Sequence, residues 1–357
     1  MRSLCLPLFR IPSSTLRVSQ RLLTSSATPR RRAGGSTSLA LPGWMVDTVA
    51  VSTESPAEPA PKGRAVLWLL VLVVPLVLLV AWWPAPPKPR PALPSPNGYD
   101  YFVKSVGSLA GMWTNQSLST VAPPDLAAFL IANAASLQLA KEGLQHKCHT
   151  LVNYDGTYIS RSMENVVVFK SLARLLAGEG RSAEYEGKLN AASTGYLDTM
   201  QFGQECSRGG VMIERLVGVA AENIGLTEVR RLLPSLPAQE VQNIMSRLQT
   251  LDASHDPPAV NLEAEAEWVK CSFSLWEQFM HQIHPTMRKN FREVRDNFTS
   301  KVNALQVARR SALVEAAARL FELEKGRRPT GYADLVPAYL PTTPLDPTTG
   351  KPIAHPF

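Results

Sequence analysis

Apolar residues recur at intervals of three and four along most of the chain after residue 97, the spacing that places them on one face of an α-helix. No stretch shows the strict alternation of a half-buried β-strand. The pattern therefore predicts an all-α domain over residues 97–326, built as a helical bundle or as an irregular helical repeat. Its predicted helices cover 102–113, 126–144, 166–177, 182–203, 210–224, 227–233 and 237–251.

Proline, glycine and acidic residues set the predicted ends of these helices. Pro123 precedes the second helix, which we expect to be continuous to residue 144. Gly178 and Gly180 follow the apolar run 166–177 and are expected to end that helix. The segment around Asp155 is the likeliest irregular stretch in this part of the chain.

The most regular apolar stripe lies late in the sequence and has heptad spacing. Its members are Leu262, Ala266, Val269, Phe273, Trp276, Met280, Ile283, Met287, Phe291, Val294, Phe298, Val302 and Leu305. Pro285 interrupts it, so we predict two helical arms, 262–283 and 287–323, joined at His284–Pro285 as an antiparallel pair. The stripe is expected to face the domain core. An intermolecular coiled coil is the alternative.

Residues 65–83 read AVLWLLVLVVPLVLLVAWW and contain no charge, and a run of about 20 apolar residues is long enough to cross a bilayer. We predict a single transmembrane helix at 64–83, with a buried core helix as the alternative. The Pro-rich segment 84–96 cannot continue a helix and should be an extended stalk of roughly 40 Å. A ligand for a small proline-recognition domain is the other interpretation of that segment.

The first 63 residues are basic and predicted to be disordered. Their Arg, Ser and Thr content is typical of an organellar transit peptide, but Met45 also offers an alternative start. The upstream arginines favour an N-terminus on the cytoplasmic or matrix side. The main domain would then be periplasmic at a bacterial inner membrane, or, alternatively, the protein would lie in the mitochondrial inner membrane.

Charge is distributed unevenly along the chain. Residues 1–96 hold 11 Lys and Arg against 3 Asp and Glu, whereas 97–357 hold 26 against 27, so the formal charge of +7 belongs to the N-terminal part. A nearly neutral domain without a basic-aromatic patch argues against a nucleic-acid partner. Within the domain, residues 285–328 carry 11 basic against 5 acidic residues.

Candidate chemistry is sparse. Glu277, His281 and His284 share a helical face at spacings that suit a metal ion, and residues 146–149 read His-Lys-Cys-His. Neither has an established metal-binding spacing, so no catalytic, cofactor-binding or metal-binding residue is assigned and no cofactor is expected. The chain also lacks a nucleophile elbow, a phosphate-binding glycine loop and an H-E-x-x-H motif. Two of Cys148, Cys206 and Cys271 would pair in an oxidising compartment, with the connectivity left open.

The C-terminal segment 319–353 contains Leu323, Gly326, Arg328, Pro329, Leu335, Tyr339, Leu340, Pro341, Asp346, Pro347, Gly350 and Pro352. This pattern resembles the segment after the long helix in the major pseudopilins of type II secretion systems. The whole architecture resembles uncharacterised membrane-anchored helical proteins of planctomycete- and verrucomicrobium-like bacteria. The resemblance implies a loop-rich tail over 327–357. By themselves, Gly326 is expected to cap the preceding helix, and Asp346-Pro347 with Gly350 is expected to form a rigid turn. No pseudopilin cleavage site precedes the apolar run, so neither an assembly function nor a calcium site is carried over. The helix pair around residues 172–198 is loosely similar to a tetratricopeptide unit.

These features predict a membrane-tethered, extracytoplasmic helical interaction or structural protein with a protein partner that the sequence does not identify. A secretion-apparatus or envelope component related to pseudopilins is one alternative. An enzyme with an unrecognised site is the other, and it is disfavoured by the absence of catalytic motifs.

Overall fold

The computed structural model describes residues 73–74, 92–111, 120–153 and 158–354. The predicted N-terminal segment 1–63, most of the stalk 84–96 and the predicted membrane helix 64–83 lie outside these ranges, except for Val73 and Val74, which are helical. Among the described residues, no helix combines the length and the apolar character that crossing a bilayer requires. The helices below belong to a compact unit within Pro75–Phe357.

The described domain is all-α, as the periodicity predicted. Its helices are α1 (Gly98–Gly107), α2 (Pro123–Ala132), α3 (Ala134–Gly143), α4 (Tyr158–Tyr185), α5 (Leu189–Glu205), α6 (Met212–Leu232), α7 (Ala238–Ser254), α8 (Pro258–Ser272), α9 (Leu275–Ile283), α10 (Pro285–Lys325) and α11 (Tyr332–Leu335). A 3-10 turn, Leu233–Ser235, joins α6 to α7.

The two largest apolar clusters of the described domain hold most of these helices together as a bundle. The larger one joins α5, α6 and α7 to the part of α10 from Phe298 onward, and includes Tyr196, Ile244 and Phe321. The smaller one joins α1 and α3 to α4, α5 and α6. In the smaller cluster the Phe202 ring meets Phe102 and Phe169 edge to face, with centroids 5.0 and 5.9 Å apart. Helices α5 and α6 contribute to both clusters and therefore form the centre of the domain.

The prediction that Gly178–Gly180 end a helix is wrong, because α4 continues through them to Tyr185. Gly180 instead permits a close crossing with α5: a Cβ placed on Gly195 would lie 2.9 Å from the Gly180 Cα. Gly225 serves α6 in the same way, since its Cβ would lie 2.4 Å from the Tyr196 carbonyl oxygen. The helices predicted at 210–224 and 227–233 are accordingly one helix, α6.

A break was missed at Asn133, where the predicted helix 126–144 divides into α2 and α3. The Asn133 Oδ1 accepts a hydrogen bond from the Ala110 backbone N–H at 2.8 Å, and its Nδ2 donates to the Phe129 carbonyl at 2.9 Å. The side chain thus connects the end of α2 to the segment after α1. The predicted first helix is also shorter than expected and ends at Gly107.

The late stripe is the largest departure from the sequence prediction. The first arm divides at Phe273, which is extended, and Ser274 caps the new helix α9. Helix α9 packs against the start of α10, so the turn at His284–Pro285 is where it was predicted. The expectation that the whole stripe faces the core is wrong, because Trp276 is 66% exposed and Phe291 41%. Leu262, Val269 and Phe273 pack half-buried against apolar clusters, and the stripe is fully buried only from Phe298 onward.

The tail forms turns that its residues predict on their own. Gly326 ends α10 in the left-handed conformation at φ 66°. The Asp346 Oδ1 accepts from the Thr348 N–H at 2.7 Å, and Gly350, at φ 67°, closes the loop by donating to the Asp346 carbonyl at 2.8 Å. Leu335 and Leu340 are fully buried in the larger cluster, so the described tail packs as part of the domain.

Candidate functional site

The residues considered for a metal have other partners. The Glu277 carboxylate accepts hydrogen bonds from the Ser274 N–H and hydroxyl, both at 2.8 Å, and so completes the cap of α9. His284 supplies the residue between α9 and α10, and the side chain of His281 lies outside the described part of the structure. Among the described residues, no three His, Cys, Asp or Glu side chains are close enough together to hold a metal ion.

The His146–His149 segment forms contacts that attach it to the start of α1. The Asn97 Nδ2 donates to the His149 carbonyl at 2.9 Å, and the Asn97 Oδ1 accepts from the His149 N–H at 3.0 Å. The His146 ring lies against the Tyr101 ring with centroids 5.2 Å apart. Burial raises the pKa of the Cys148 thiol to about 12, so this group stays protonated and unreactive. The segment therefore has a structural role in which its polar groups fix a loop.

The cysteines of the described domain are free thiols. Cys148 and Cys206 are buried, and Cys271 is exposed. Burial raises the pKa of Cys206 well above its usual value. The two buried thiols therefore act as small apolar groups of the smaller cluster.

A buried cluster of charges lies where α6, α7 and α10 meet. The Glu222 carboxylate is 0% exposed and accepts from Arg215 Nη1 at 2.7 Å and from Arg309 Nη1 at 3.0 Å. Arg309 continues to Asp252 through its Nε at 3.3 Å, and Arg310 Nε reaches the same carboxylate at 2.9 Å. Each carboxylate is thus shared by two guanidinium groups. With its oxygens occupied in this way, the cluster joins three helices and offers no free acid or base for chemistry.

The sequence contains a signal for this cluster in the spacing of its charged residues. Arg309 falls between Leu305 and Ala312 at the same three- and four-residue spacing as the buried positions of α10. Glu222 occupies the equivalent place in α6, between Val219 and Leu226. A charged residue in the apolar phase of a helix indicates a buried ion pair, because a lone charge there would be too costly.

A second polar group surrounds the N-terminus of α6. Glu214 accepts hydrogen bonds from the Val211 N–H at 3.0 Å and from the Tyr158 hydroxyl. Glu265 of α8 accepts from the Met212 N–H at 3.1 Å, and burial raises its pKa. Both carboxylates satisfy backbone donors that a helix N-terminus leaves free. Their arrangement is that of a helix cap shared between elements.

A groove of about 310 Å³ lies between α5 and α7 and is open to solvent. Its polar walls bond to each other: Asn190 Nδ2 donates to Glu240 at 3.0 Å, and Arg247 bonds to both Asp198 and Gln201 at 2.9 Å. Leu197 is an apolar residue of the groove wall. The groove lacks the enclosed apolar walls that a small-molecule site normally has.

The feature of the domain that differs most from an ordinary packed surface is the α9–α10 hairpin. Every residue from 283 to 297 is exposed. Large apolar side chains nevertheless recur there at helical spacing, and we call them the hairpin surface: Leu275, Trp276, Ile283, Met287, Phe291 and Val294. The Trp276 ring stacks on Phe279 at 5.7 Å between centroids. Large apolar side chains exposed at helical spacing in this way are typical of a docking site.

Comparisons of this chain with protein-family models, with curated proteins and with solved structures find no match.

Proposed function

We propose that this chain is a membrane-tethered helical interaction protein that presents the hairpin surface for docking. Residues 64–83 form the anchor, 84–96 the stalk, and 97–326 the interaction domain, which lies on the periplasmic side of a bacterial inner membrane. The apolar run and the arginines that precede it support the anchor and its orientation.

The hairpin surface is the observation that carries the docking function. Trp276 is 66% exposed and Val294 55%, although the same stripe is buried a few residues later at Phe298. Exposing these side chains leaves unused much of the roughly 1.5–3 kcal/mol that burying each of them would contribute. A binding partner that covers the surface would recover this free energy.

Membrane attachment is tested by alkaline extraction and by reporter fusions at Phe357. We expect the full chain to stay with the membrane pellet and the fused reporter to be active only outside the cytoplasm. A chain released by alkaline washing would contradict the anchor. A reporter active only in the cytoplasm would reverse the orientation, and sorting to mitochondria would select the inner membrane of that organelle.

Docking is tested by placing a photo-crosslinking amino acid at Trp276 and, as a control, at Ile131. Ile131 is also apolar and 78% exposed, but lies in α2, outside the hairpin surface. In native membranes, covalent adducts with a protein or a lipid are expected from position 276 and not from position 131. Equal labelling at the two positions, or none at 276, would contradict a docking role for the hairpin.

A secretion-apparatus or envelope component related to pseudopilins is the second candidate. Its support is the closed Asp346–Gly350 loop and the short helix α11, which occupy the segment that resembles the pseudopilin tail. Co-purification of the chain with secretion components, lost when the Asp346–Gly350 loop is replaced, would favour this candidate over a hairpin-dependent partner. The enzyme alternative has no comparable support, because in the described domain the buried acids Glu214, Glu222 and Glu267 and the half-buried Glu265 all form structural hydrogen bonds or ion pairs.

A further inference from the structure

The hairpin surface has a row of arginines beside it. Met287, Phe291 and Val294 are each followed directly by an arginine: Arg288, Arg292 and Arg295. Successive residues of an α-helix are about 100° apart, so three arginines at this spacing form a row along one side of the apolar stripe. They form no hydrogen bond or ion pair with the side chains that the structure describes and so remain available to a ligand.

The acidic residues of this part of α10 do not offset its arginine row. Glu293 pairs with Lys289 at 3.8 Å, and both side chains are well exposed. Asp296 follows Arg292 by four residues and therefore lies at the border of the arginine row. Lys289 and Glu293 thus neutralise each other, whereas the side next to the stripe carries three arginines against the single carboxylate of Asp296 at its border.

We infer that the hairpin surface binds an anionic lipid bilayer, with its apolar stripe in the headgroup–acyl boundary and the arginine row at the lipid phosphates. Helices that lie in a membrane interface have large apolar side chains on one face and basic side chains beside them. Arginine suits this position because its aliphatic stem packs on apolar groups while the guanidinium reaches a phosphate. Trp276 adds an aromatic ring of the kind found at lipid–water interfaces.

This inference rests on the proposed function, because the anchor and stalk would hold the domain near a bilayer. Such a tether would raise the effective concentration of the domain at that bilayer and so make a weak interfacial contact effective. A second copy of the chain fits the surface less well. The hairpin has no acidic row, since Glu277 caps α9, Glu293 pairs with Lys289 and Asp296 is a single carboxylate beside Arg292, so two copies would bring arginines together.

The test uses the full chain reconstituted in vesicles of phosphatidylcholine alone or with about 30% phosphatidylglycerol, a content at which the bilayer surface is clearly anionic. An environment-sensitive fluorophore is attached at Asn290→Cys, beside the stripe, in a chain with Cys5→Ser and Cys271→Ser. The remaining thiols, Cys148 and Cys206, are buried. A second probe at Glu293→Cys, on the far side of α10, serves as the depth control.

In vesicles that contain phosphatidylglycerol, and only there, we expect the fluorescence of the probe at 290 to report an apolar environment and to be quenched by brominated lipids. The probe at 293 should report water in both vesicles. One basic residue near an anionic surface changes binding by about fivefold, so replacing Arg288, Arg292 and Arg295 with Gln should lower the bound-to-free ratio of the hairpin by on the order of 100-fold. The matched control Lys301→Gln/Lys325→Gln/Arg328→Gln removes the same charge from other exposed positions of the chain and should keep the wild-type signal.

Several results would overturn the inference. A water-exposed probe at 290 in both vesicles would exclude the bilayer, and shielding of that probe only in native membranes would favour an acidic protein. Equal insertion of the hairpin into vesicles of both lipid compositions would contradict a role for the arginines in binding. A fluorescence change at position 290 that depends on the density of protein in the vesicles, and not on lipid composition, would show that a second copy of the chain covers the surface. A chain that washes off the vesicles contradicts the anchor instead, and flotation of that released chain with the same vesicles still tests the hairpin.

Discussion

Arg309 and Glu222 are the most informative residues of the domain, because they are charged and fully buried. Arg309 is 1% exposed and bonds to carboxylates from α6 and α7. Removing two charges from water is costly, and their mutual attraction offsets this only with good geometry and further hydrogen bonds. Arg215 and Asp252 supply these bonds on the two sides of the pair. The cluster therefore fixes the position of α10 against two helices at once.

We predict that Glu222→Ala destabilises the domain by about 3–5 kcal/mol, because it leaves two buried guanidinium groups without their shared carboxylate. The triple variant Arg215→Met/Glu222→Leu/Arg309→Met should have a free energy of unfolding closer to that of the wild type, since it leaves fewer buried charges without partners. Denaturant unfolding measures both. The control is Glu240→Ala at the surface groove, which should change stability by less than about 0.5 kcal/mol. A Glu222→Ala variant as stable as this control would contradict the structural role of the cluster.

At the scale of elements, the last three long helices divide the apolar stripe between two uses. The part of α10 after Phe298 lies in the core, whereas α9 and the first turns of α10 expose their apolar residues. The sequence repeat is the same in both parts. What differs is whether α6 and α7 lie against it, and those helices pack on the later part of α10.

This division predicts a large loss of stability for one phenylalanine of α10 and a small loss for another. Phe298→Ala should cost about 3–5 kcal/mol, because the side chain is buried in the larger cluster and its removal leaves a cavity. Phe291→Ala should cost less than about 1 kcal/mol, because much of the ring is already in water. Thermal melts of the two variants measure the difference. Equal losses would show that the hairpin packs on the domain after all.

Glu184 connects three helices and makes the stability of their contact depend on pH. It accepts from Arg231 of α6 and, at 2.7 Å, from the Tyr196 hydroxyl of α5. The hydrogen bond from Arg231 is the largest influence on its pKa and lowers it from 4.5 to about 2. A depressed folded pKa stabilises the protein above the unfolded value, and that stabilisation disappears as the pH falls from 4.5 toward 2.

We therefore expect Glu184→Gln to melt at a lower temperature than the wild type at neutral pH and to lose less stability on acidification. The control is Glu179→Gln. Glu179 lies on the same helix as Glu184 and forms a surface ion pair with Lys141 of α3. Melting temperatures measured between pH 7 and pH 2 should show a reduced slope for Glu184→Gln alone. Parallel curves for the wild type and Glu184→Gln would contradict the assignment.

At the scale of the whole molecule, the tail belongs to the bundle and is not an appendage. Leu335, Leu340 and Ile353 are buried, and the Tyr332 hydroxyl donates to the Ile353 carbonyl at 2.6 Å. The Tyr339 ring packs edge to face on Phe321 of α10 at 5.6 Å between centroids. The domain boundary that the sequence analysis placed after residue 326 thus separates elements that share one core.

The shared core predicts that Leu340→Ala destabilises the whole bundle by about 2–5 kcal/mol. Leu345→Ala provides the control, because Leu345 lies in the same tail but is largely exposed. Unfolding should remain a single transition in both variants when it is followed by helix content and by tryptophan fluorescence. A tail that melts separately, leaving the rest of the bundle intact, would contradict a common core.

The sequence by itself determined the features that depend on neighbouring residues along the chain. Helical spacing gave the all-α class, Gly326 ends α10, Asp346 and Gly350 form the tail turn, and Pro285 begins a helix. Each of these follows from backbone preferences or from hydrogen bonds within a few residues.

Only the tertiary structure decided which helical faces meet. Gly180 has the sequence character of a helix end, but a backbone contact with Gly195 gives it a packing role inside α4. Trp276 and Phe298 occupy one apolar stripe, yet one is exposed and the other buried because other helices cover only the second. Apolar periodicity specifies that a face can be buried. Whether it is buried depends on partners that are distant in sequence, and at the hairpin this difference leaves exposed the surface on which the proposed function depends.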